Sequence, residues 1–108
     1  MPLRFMPPEV FKDKLIYQTL DQWSFGLTVI EIYLENHRPH WWIEDIKKLT
    51  EFIMSGKKHP KPPFLNTAIY DFIDRNCLAS NPRDRSKFDT ISLYLWGCND
   101  APKVFTKY

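Results

Sequence analysis

The sequence predicts an all-α protein in which about four main helices surround one buried central helix. Apolar residues recur at helical spacing in several segments, and no long segment alternates between polar and apolar residues as a half-buried strand does. One segment of about fifteen residues is apolar on nearly every side, which is typical of a helix enclosed by others. Capping residues precede the periodic segments, and Gly56 and Gly97 follow two of them.

Proline residues interrupt the first eighteen residues and exclude a long helix there. A single helical turn around Glu9–Lys12 is expected, because Pro8 suits the first position of a helix.

The central helix is predicted to begin after Thr19, a good N-cap, and to run to about Leu34. A buried strand is the alternative, but the segment is about twice a usual strand length. Asp21 lies at the start of this apolar helix, where an unpaired buried carboxylate would cost several kcal/mol. We therefore expect Asp21 to cap its own helix or to accept hydrogen bonds from a neighbouring loop.

Three amphipathic helices are predicted after the central one. The first begins at Ile43 and stops at Gly56, with apolar residues repeating at helical spacing. An extended basic connector, 57–63, follows because its prolines exclude a helix. The second of these helices is capped by Asn66 or Thr67. The side chains expected to point inward are, from the three helices in order, Ile43, Ile46, Leu49, Phe52 and Ile53, then Ile69, Phe72, Ile73 and Cys77, and finally Phe88, Ile91 and Leu95.

The last helix is predicted to follow a turn at residues 81–84. Ser86 and Asp89 resemble a weak capping box at its start, and Gly97 closes it. The tail, 99–108, has no periodicity.

Composition excludes several classes of protein. Fifteen Lys and Arg against thirteen Asp and Glu give a net charge of +2, which argues against a nucleic-acid binder held by electrostatics. No apolar run approaches the ~20 residues of a membrane-spanning helix. Two cysteines do not make a disulfide framework, so a cytoplasmic, reducing location is expected.

Motifs for metal or nucleotide chemistry are absent from these 108 residues. The three glycines stand far apart, so no loop can cradle a phosphate in the usual way. His37, His40 and His59 are interpreted as unrelated surface histidines, and Cys77 as a buried thiol, because none has a partner at zinc-ligand spacing. We predict no catalytic, cofactor-binding or metal-binding residue, and we interpret the basic connector as a solvated loop rather than a site for an acidic partner.

Two further charges form a possible pair. Glu9 follows two prolines and Arg85 lies in the turn before the last helix, so an ion pair would join the two ends of the domain. Spacing alone leaves that pairing open.

Four motifs, in order, resemble the C-terminal part of a protein kinase domain. Residues 2–9 read P-L-R-F-M-P-P-E and look like the end of an activation segment that closes with A-P-E. Residues 19–26 read T-L-D-Q-W-S-F-G and resemble the D-x-W-S-F-G start of the central helix of the C-lobe. Residues 53–77 are similar to the stretch joining the next two helices, and residues 81–88, N-P-R-D-R-S-K-F, resemble the P-x-x-R-P-x-F of the final helix.

The resemblance implies roles for particular residues. Glu9 and Arg85 match the ion pair that ties the activation segment to the last helices, and Asp21 matches the aspartate that anchors the catalytic-loop backbone. Pro2 stands three residues before Phe5, where serine/threonine kinases carry threonine. Tyrosine kinases use this proline as a platform for the substrate tyrosine ring, so Pro2 and the neighbouring Arg4 are implied to bind substrate.

The resemblance also implies what an intact relative does. The implied activity is ATP-dependent, Mg-assisted phosphorylation of protein tyrosines, but the glycine-rich loop, strand lysine, H-R-D-x-x-x-x-N and D-F-G motifs are not among these residues. We therefore expect the 108 residues to be inactive by themselves. The resemblance implies a partial kinase domain, 1–98, followed by the tail, with a peptide substrate or the N-terminal part of a kinase as protein partner. The alternative is a truncated, non-catalytic remnant that acts as a protein-interaction module.

The stability of the chain is also expected to be marginal, because the central helix of a whole kinase domain is covered by elements that are not among these residues. An uncovered apolar surface favours association with a partner.

Overall fold

A computed structural model describes residues 3–35 and 37–97. Within these ranges the chain forms five α-helices and two short 3₁₀-helices and contains no strand. The helices are α1 (Pro8–Asp13), α2 (Leu20–Ile32), α3 (Ile46–Met54), α4 (Thr67–Asn76) and α5 (Phe88–Trp96), and the 3₁₀-helices are Leu3–Phe5 and Pro82–Asp84. The predicted all-α class and its four main helices are confirmed. The predicted tail lies outside the described residues.

The predicted central helix, α2, supplies much of the core. Leu27, Val29 and Ile30 are almost fully buried. Thr19 holds the N-cap position but does not cap with its side chain; its hydroxyl donates instead to the carbonyl of Pro82, at 2.7 Å. The helix is also less enclosed than predicted, because Ile32 at its end is 44% exposed.

A close contact joins α2 to the end of α4 at Gly26. A Cβ atom on Gly26 would lie 2.9 Å from the Cβ of Cys77 and 2.9 Å from Cδ2 of Leu78. The two helices can approach this closely only because residue 26 has no side chain. Cys77 is fully buried, as predicted.

The helix α3 begins later than predicted, at Ile46 rather than Ile43. The cause is Asp45, whose carboxylate accepts hydrogen bonds from the backbone N–H groups of Lys47 and Lys48 and so fixes the start. Its end is as predicted, since Gly56 takes the left-handed conformation, with φ of 78°. Ile46 points outward and is 60% exposed, which corrects its predicted inward position.

Helix α4 follows its prediction and α5 departs from it. The side chain of Asn66 caps α4 by accepting from the N–H groups of Ala68 and Ile69. The predicted capping box at the start of α5 is wrong, because the hydroxyl of Ser86 donates to Oδ1 of Asn76 at 2.6 Å. Phe88 is 42% exposed rather than inward, and its ring meets Phe25 edge-on.

No helix of the described chain is long and apolar enough to cross a membrane.

Candidate functional site

The side chains of Glu9 and Arg85 form a buried ion pair across 76 positions of sequence. Nη1 of Arg85 lies 2.7 Å from Oε2 of Glu9, and Nη2 lies 2.8 Å from Oε1. This bidentate arrangement, with two parallel N–H···O hydrogen bonds, is among the strongest interactions between a guanidinium and a carboxylate. The pair connects α1 to the turn before α5. It thereby also holds the residues that precede α1, from Leu3 onward, which are called the first segment below.

Arg85 makes two further hydrogen bonds. Its Nε donates to the carbonyl of Ala79 at 3.0 Å, and Nη1 donates to the carbonyl of Thr19 at 3.3 Å. The guanidinium carbon lies 5.0 Å from the centre of the Trp23 ring, at the distance of a cation–π contact. The charge is therefore buried with an acceptor at each of its three nitrogens and a carboxylate partner, which offsets the cost of burying an ion.

Arg4 holds the first segment against the loop between α2 and α3. Its guanidinium donates to three backbone carbonyls, those of Pro39 (3.2 Å), His40 (2.6 Å) and Ile43 (2.6 Å). Burial lowers the pKa of Arg4, and nearby Arg38 lowers it further, whereas Glu44 raises it. The structure thus places Arg4 at the predicted substrate-binding segment, with its donors engaged by the protein's own backbone.

An open groove of about 360 Å³ lies beside this segment. Its apolar wall comes from Leu3, Phe5, Ile46 and Leu49, and charged side chains stand at its edge. Such a surface can accept an apolar side chain flanked by polar or charged groups. The residues that line the groove are Leu3, Arg4, Phe5, Arg38, Glu44, Ile46 and Leu49.

Of the other two predicted site residues, Asp21 does not line this groove. Pro2 lies outside the described residues, so its role stays a prediction. Asp21 is exposed in the first turn of α2, and its carboxylate makes no hydrogen bond or ion pair within residues 3–35 and 37–97. The expected cap or loop contact is therefore not found there, and its role as an anchor of the catalytic loop stays a prediction.

Two histidines form a cluster that sequence reasoning missed. His40 and His59 are 3% and 4% exposed, and their ring centres lie 5.0 Å apart. Trp42 packs on both rings and Phe52 packs on His40. The interpretation as unrelated surface histidines is wrong for this pair, although His37 is exposed and stacks on Trp41.

Both histidines of the pair are neutral near neutral pH. Burial, His59 and Arg4 lower the pKa of His40 to about 3. Burial also lowers the pKa of His59, although a hydrogen bond to Pro60 opposes this. Nδ1 of His59 lies 2.8 Å from the carbonyl oxygen of Pro60 and must carry the proton, because a carbonyl only accepts. Nε2 of His59 therefore bears a lone pair.

The basic connector is held by the protein more firmly than a solvated loop would be. Lys58 pairs with Asp74 at 3.1 Å. The ammonium of Lys61 donates to the carbonyls of Pro62 and Leu65, at 3.0 Å and 2.8 Å.

The described residues do not fit a metal site. Within residues 3–35 and 37–97, no three His, Cys, Asp or Glu side chains are grouped so that they could hold a metal ion. The Cys77 thiol is unsuited to ligation, because burial raises its pKa to about 12.

Comparison with known proteins gives a family match over most of the chain. The model of the protein tyrosine and serine/threonine kinase family matches residues 1–95. The Drosophila melanogaster protein "Fibroblast growth factor receptor homolog 1" is 30% identical over 95 residues, which cover 88% of this chain and 13% of that protein. The Caenorhabditis elegans "Tyrosine-protein kinase receptor ver-3" is 32% identical over 106 residues, 97% of this chain and 8% of that protein.

An inactive relative matches at a similar level. The Mus musculus "Inactive tyrosine-protein kinase 7" is 29% identical over 102 residues, 94% of this chain and 9% of that protein. The chain thus spans only a small part of each of these relatives.

Proposed function

Because the chain belongs to the protein tyrosine and serine/threonine kinase family, we propose that it supplies the acceptor side of a tyrosine-kinase-like domain. In the intact domain this side presents a protein tyrosine for phosphorylation, with ATP and Mg bound by parts outside these 108 residues. The 108 residues by themselves transfer no phosphate. An intracellular location is part of the same proposal.

The groove beside Leu3–Phe5 is the observation that carries this proposal. Arg4 ties that segment to the loop carbonyls of Pro39, His40 and Ile43, so one wall of the groove is fixed before a peptide binds. A wall that is already ordered reduces the conformational entropy that the protein loses when a peptide binds. Pro2 immediately precedes the segment, where the family resemblance puts a platform for the acceptor ring.

Peptide binding at the groove can be tested without catalysis. Ile46 lines the groove and is 60% exposed, so Ile46→Glu changes its wall with little effect on the core. Leu93 on α5 is 77% exposed and outside the groove, which makes Leu93→Glu the matched control. A tyrosine-containing peptide library is titrated into isotope-labelled protein and the amide shifts of Leu3–Phe5 are followed by NMR.

We expect bound peptides to move the signals of Leu3–Phe5 and Leu49, and Ile46→Glu to weaken this binding about tenfold while Leu93→Glu leaves it unchanged. A tenfold loss corresponds to about 1.4 kcal/mol, within the range for one apolar side-chain contact. Binding that both variants weaken equally, or shifts confined to other surfaces, would contradict the proposal.

A second candidate is a non-catalytic interaction module. It is favoured by the 29% identity to an inactive kinase, close to the 30% and 32% found for the other two relatives. Large apolar side chains are also exposed, including Phe64, Leu93 and Trp96, and such surfaces favour association.

Transcripts that cover the region upstream of residue 1 separate the two candidates. An in-frame extension that encodes the strand lysine, the H-R-D and the D-F-G motifs favours the first. An extension without them favours the second. Tyrosine phosphorylation of a peptide by the purified 108 residues would refute the claim that they are inactive by themselves.

A further inference from the structure

We propose that His40 and His59 form an acid-sensitive latch, which holds the loop after α2 against the connector before α4 and opens when the pair takes up a proton. The latch does not rest on the proposed function, because it concerns how two loops are held together.

The two rings belong to loops that are fastened to different parts of the fold. The backbone carbonyl of His40 accepts from Arg4 at 2.6 Å, which connects its loop to the first segment. The backbone carbonyl of His59 accepts from the hydroxyl of Tyr70 at 2.5 Å, which connects the connector to α4. The rings of His40 and His59 contact each other, with their centres 5.0 Å apart, and so join the two loops.

The environment of the rings favours their neutral forms. Nδ1 of His40 and Nε2 of His59 are buried and have no hydrogen-bond partner among the described protein atoms. A proton on either nitrogen would add a buried donor and a buried charge with nothing to accept them, which is expensive. Two protonated rings at this separation would also repel each other.

The charged groups around the pair do not compensate such a proton. The first segment contributes Arg4, a cation that disfavours a positive His40. The loop after α2 adds Arg38 and Glu44 at the groove beyond Arg4. Lys57 and Lys58 line the small cavity next to the rings, and the one carboxylate there, that of Asp74 on α4, is already paired with Lys58.

Trp23 and Leu27 of α2 line the same cavity and bring no ionisable group to it, while α3 places Phe52 against His40. When the two loops separate, water can accept hydrogen bonds from a protonated ring and can screen the repulsion between two protonated rings. Protonation therefore favours the open form.

Native-state hydrogen exchange measures this opening directly. The N–H of Ile43 donates to the carbonyl of His40 at 2.9 Å and reports on the latched loop. The amides in the middle of α2 report on global unfolding. Opening constants are obtained in the intact protein between pH 7.5 and about pH 5.5, after correction for the intrinsic exchange rate.

Below pH 6.5, the ordinary value for histidine, we expect the opening constant at Ile43 to rise by up to about tenfold per pH unit for each histidine. The opening constant of the α2 amides should be smaller than that of Ile43 at every pH, because those amides exchange only through global unfolding. In His40→Phe/His59→Met this dependence is lost, whereas it persists in the matched control His37→Phe, whose ring is exposed and outside the pair. An opening constant at Ile43 equal to that of the α2 amides, or a pH dependence that survives in the double variant, overturns the latch.

A second measurement requires no variant. The ring nitrogen signals of the wild-type protein at pH 6 should show a neutral His59 with its proton on Nδ1 and a neutral His40. A positively charged ring at either position under conditions where Ile43 remains protected would overturn the proposal.

Discussion

Two buried polar clusters in the described part of the chain differ in the charge they carry. Glu9 and Arg85 are buried as ions, and each nitrogen of the guanidinium has an acceptor. His40 and His59 are buried to the same degree as neutral rings, each with a nitrogen that has no partner among the described atoms. Trp23 of α2 lies near both clusters, since its ring packs on the guanidinium of Arg85 and it also lines the cavity beside the histidines.

The difference indicates what each cluster can do. A buried, doubly hydrogen-bonded ion pair resists change, because removal of either partner leaves an uncompensated charge. A buried neutral pair is stable only while it stays neutral, so its stability depends on pH. The first cluster fixes the chain's first segment, and the second gives a nearby pair of loops a sensitivity to protons.

Removing one ion is predicted to have the largest effect. Arg85→Met leaves the carboxylate of Glu9 buried without its partner, and we expect it to lower the free energy of unfolding by about 3–5 kcal/mol. Urea denaturation at pH 7 measures the loss. The control is Arg83→Met, which changes an exposed arginine in the same turn and should cost less than about 0.5 kcal/mol. Similar effects of the two variants would contradict the account.

The close approach of α2 to the end of α4 can be disturbed at Gly26. In Gly26→Ala the new methyl would lie 2.9 Å from the side chains of Cys77 and Leu78, so we expect a loss of about 1–3 kcal/mol from overpacking. Gly97→Ala is the matched control, since its nearest atoms would be at 3.6 Å, an ordinary contact. Thermal melts of the two variants give the comparison, and a Gly26→Ala protein as stable as the control would show that α2 and α4 are farther apart.

The change of global stability with pH should be the smallest of these effects for a moderate drop in pH, from 7.5 to about 5.5. It should come from the histidine pair. The folded-state pKa values of both rings are lowered, to about 3 for His40, from an ordinary 6.5. Below pH 6.5 the unfolded chain therefore binds more protons than the folded one, and stability falls as the pH falls. The slope is at most about 1.4 kcal/mol per pH unit for each histidine.

Urea denaturation at pH 7.5, 6.5 and about 5.5 measures that slope, and His40→Phe should reduce it. A stability that rises on acidification over this interval would contradict the neutral, buried state of the pair.

Sequence reasoning predicted one cluster and missed the other for a physical reason. Glu9 and Arg85 lie in motifs whose order and spacing carry the family resemblance, so their pairing could be expected across the whole chain. His40 and His59 lie in two irregular loops, where no periodicity relates one position to another. Only the three-dimensional path of the chain shows that these loops meet.

The smaller errors in the helices have a similar physical origin. Buried faces such as that of α4 follow helical spacing and were predicted, whereas the ends depend on which partner a polar side chain takes. Thr19 bonds to Pro82 and Ser86 bonds to Asn76, both in other parts of the fold, so neither caps the helix that it precedes. Asp45 caps α3 because its carboxylate reaches the nearby N–H groups. Competition between local and distant partners is not visible in one sequence.

The central claim is that Glu9 and Arg85 stabilise the fold as one buried unit, and a double-mutant cycle tests it most directly. Unfolding free energies are measured for the wild type, Glu9→Leu, Arg85→Met and the double variant. We predict that the double variant is about 2–3 kcal/mol more stable than the sum of the single losses implies, because removing both ions leaves no buried charge. Losses that add to within about 0.5 kcal/mol would mean that the two side chains are independent.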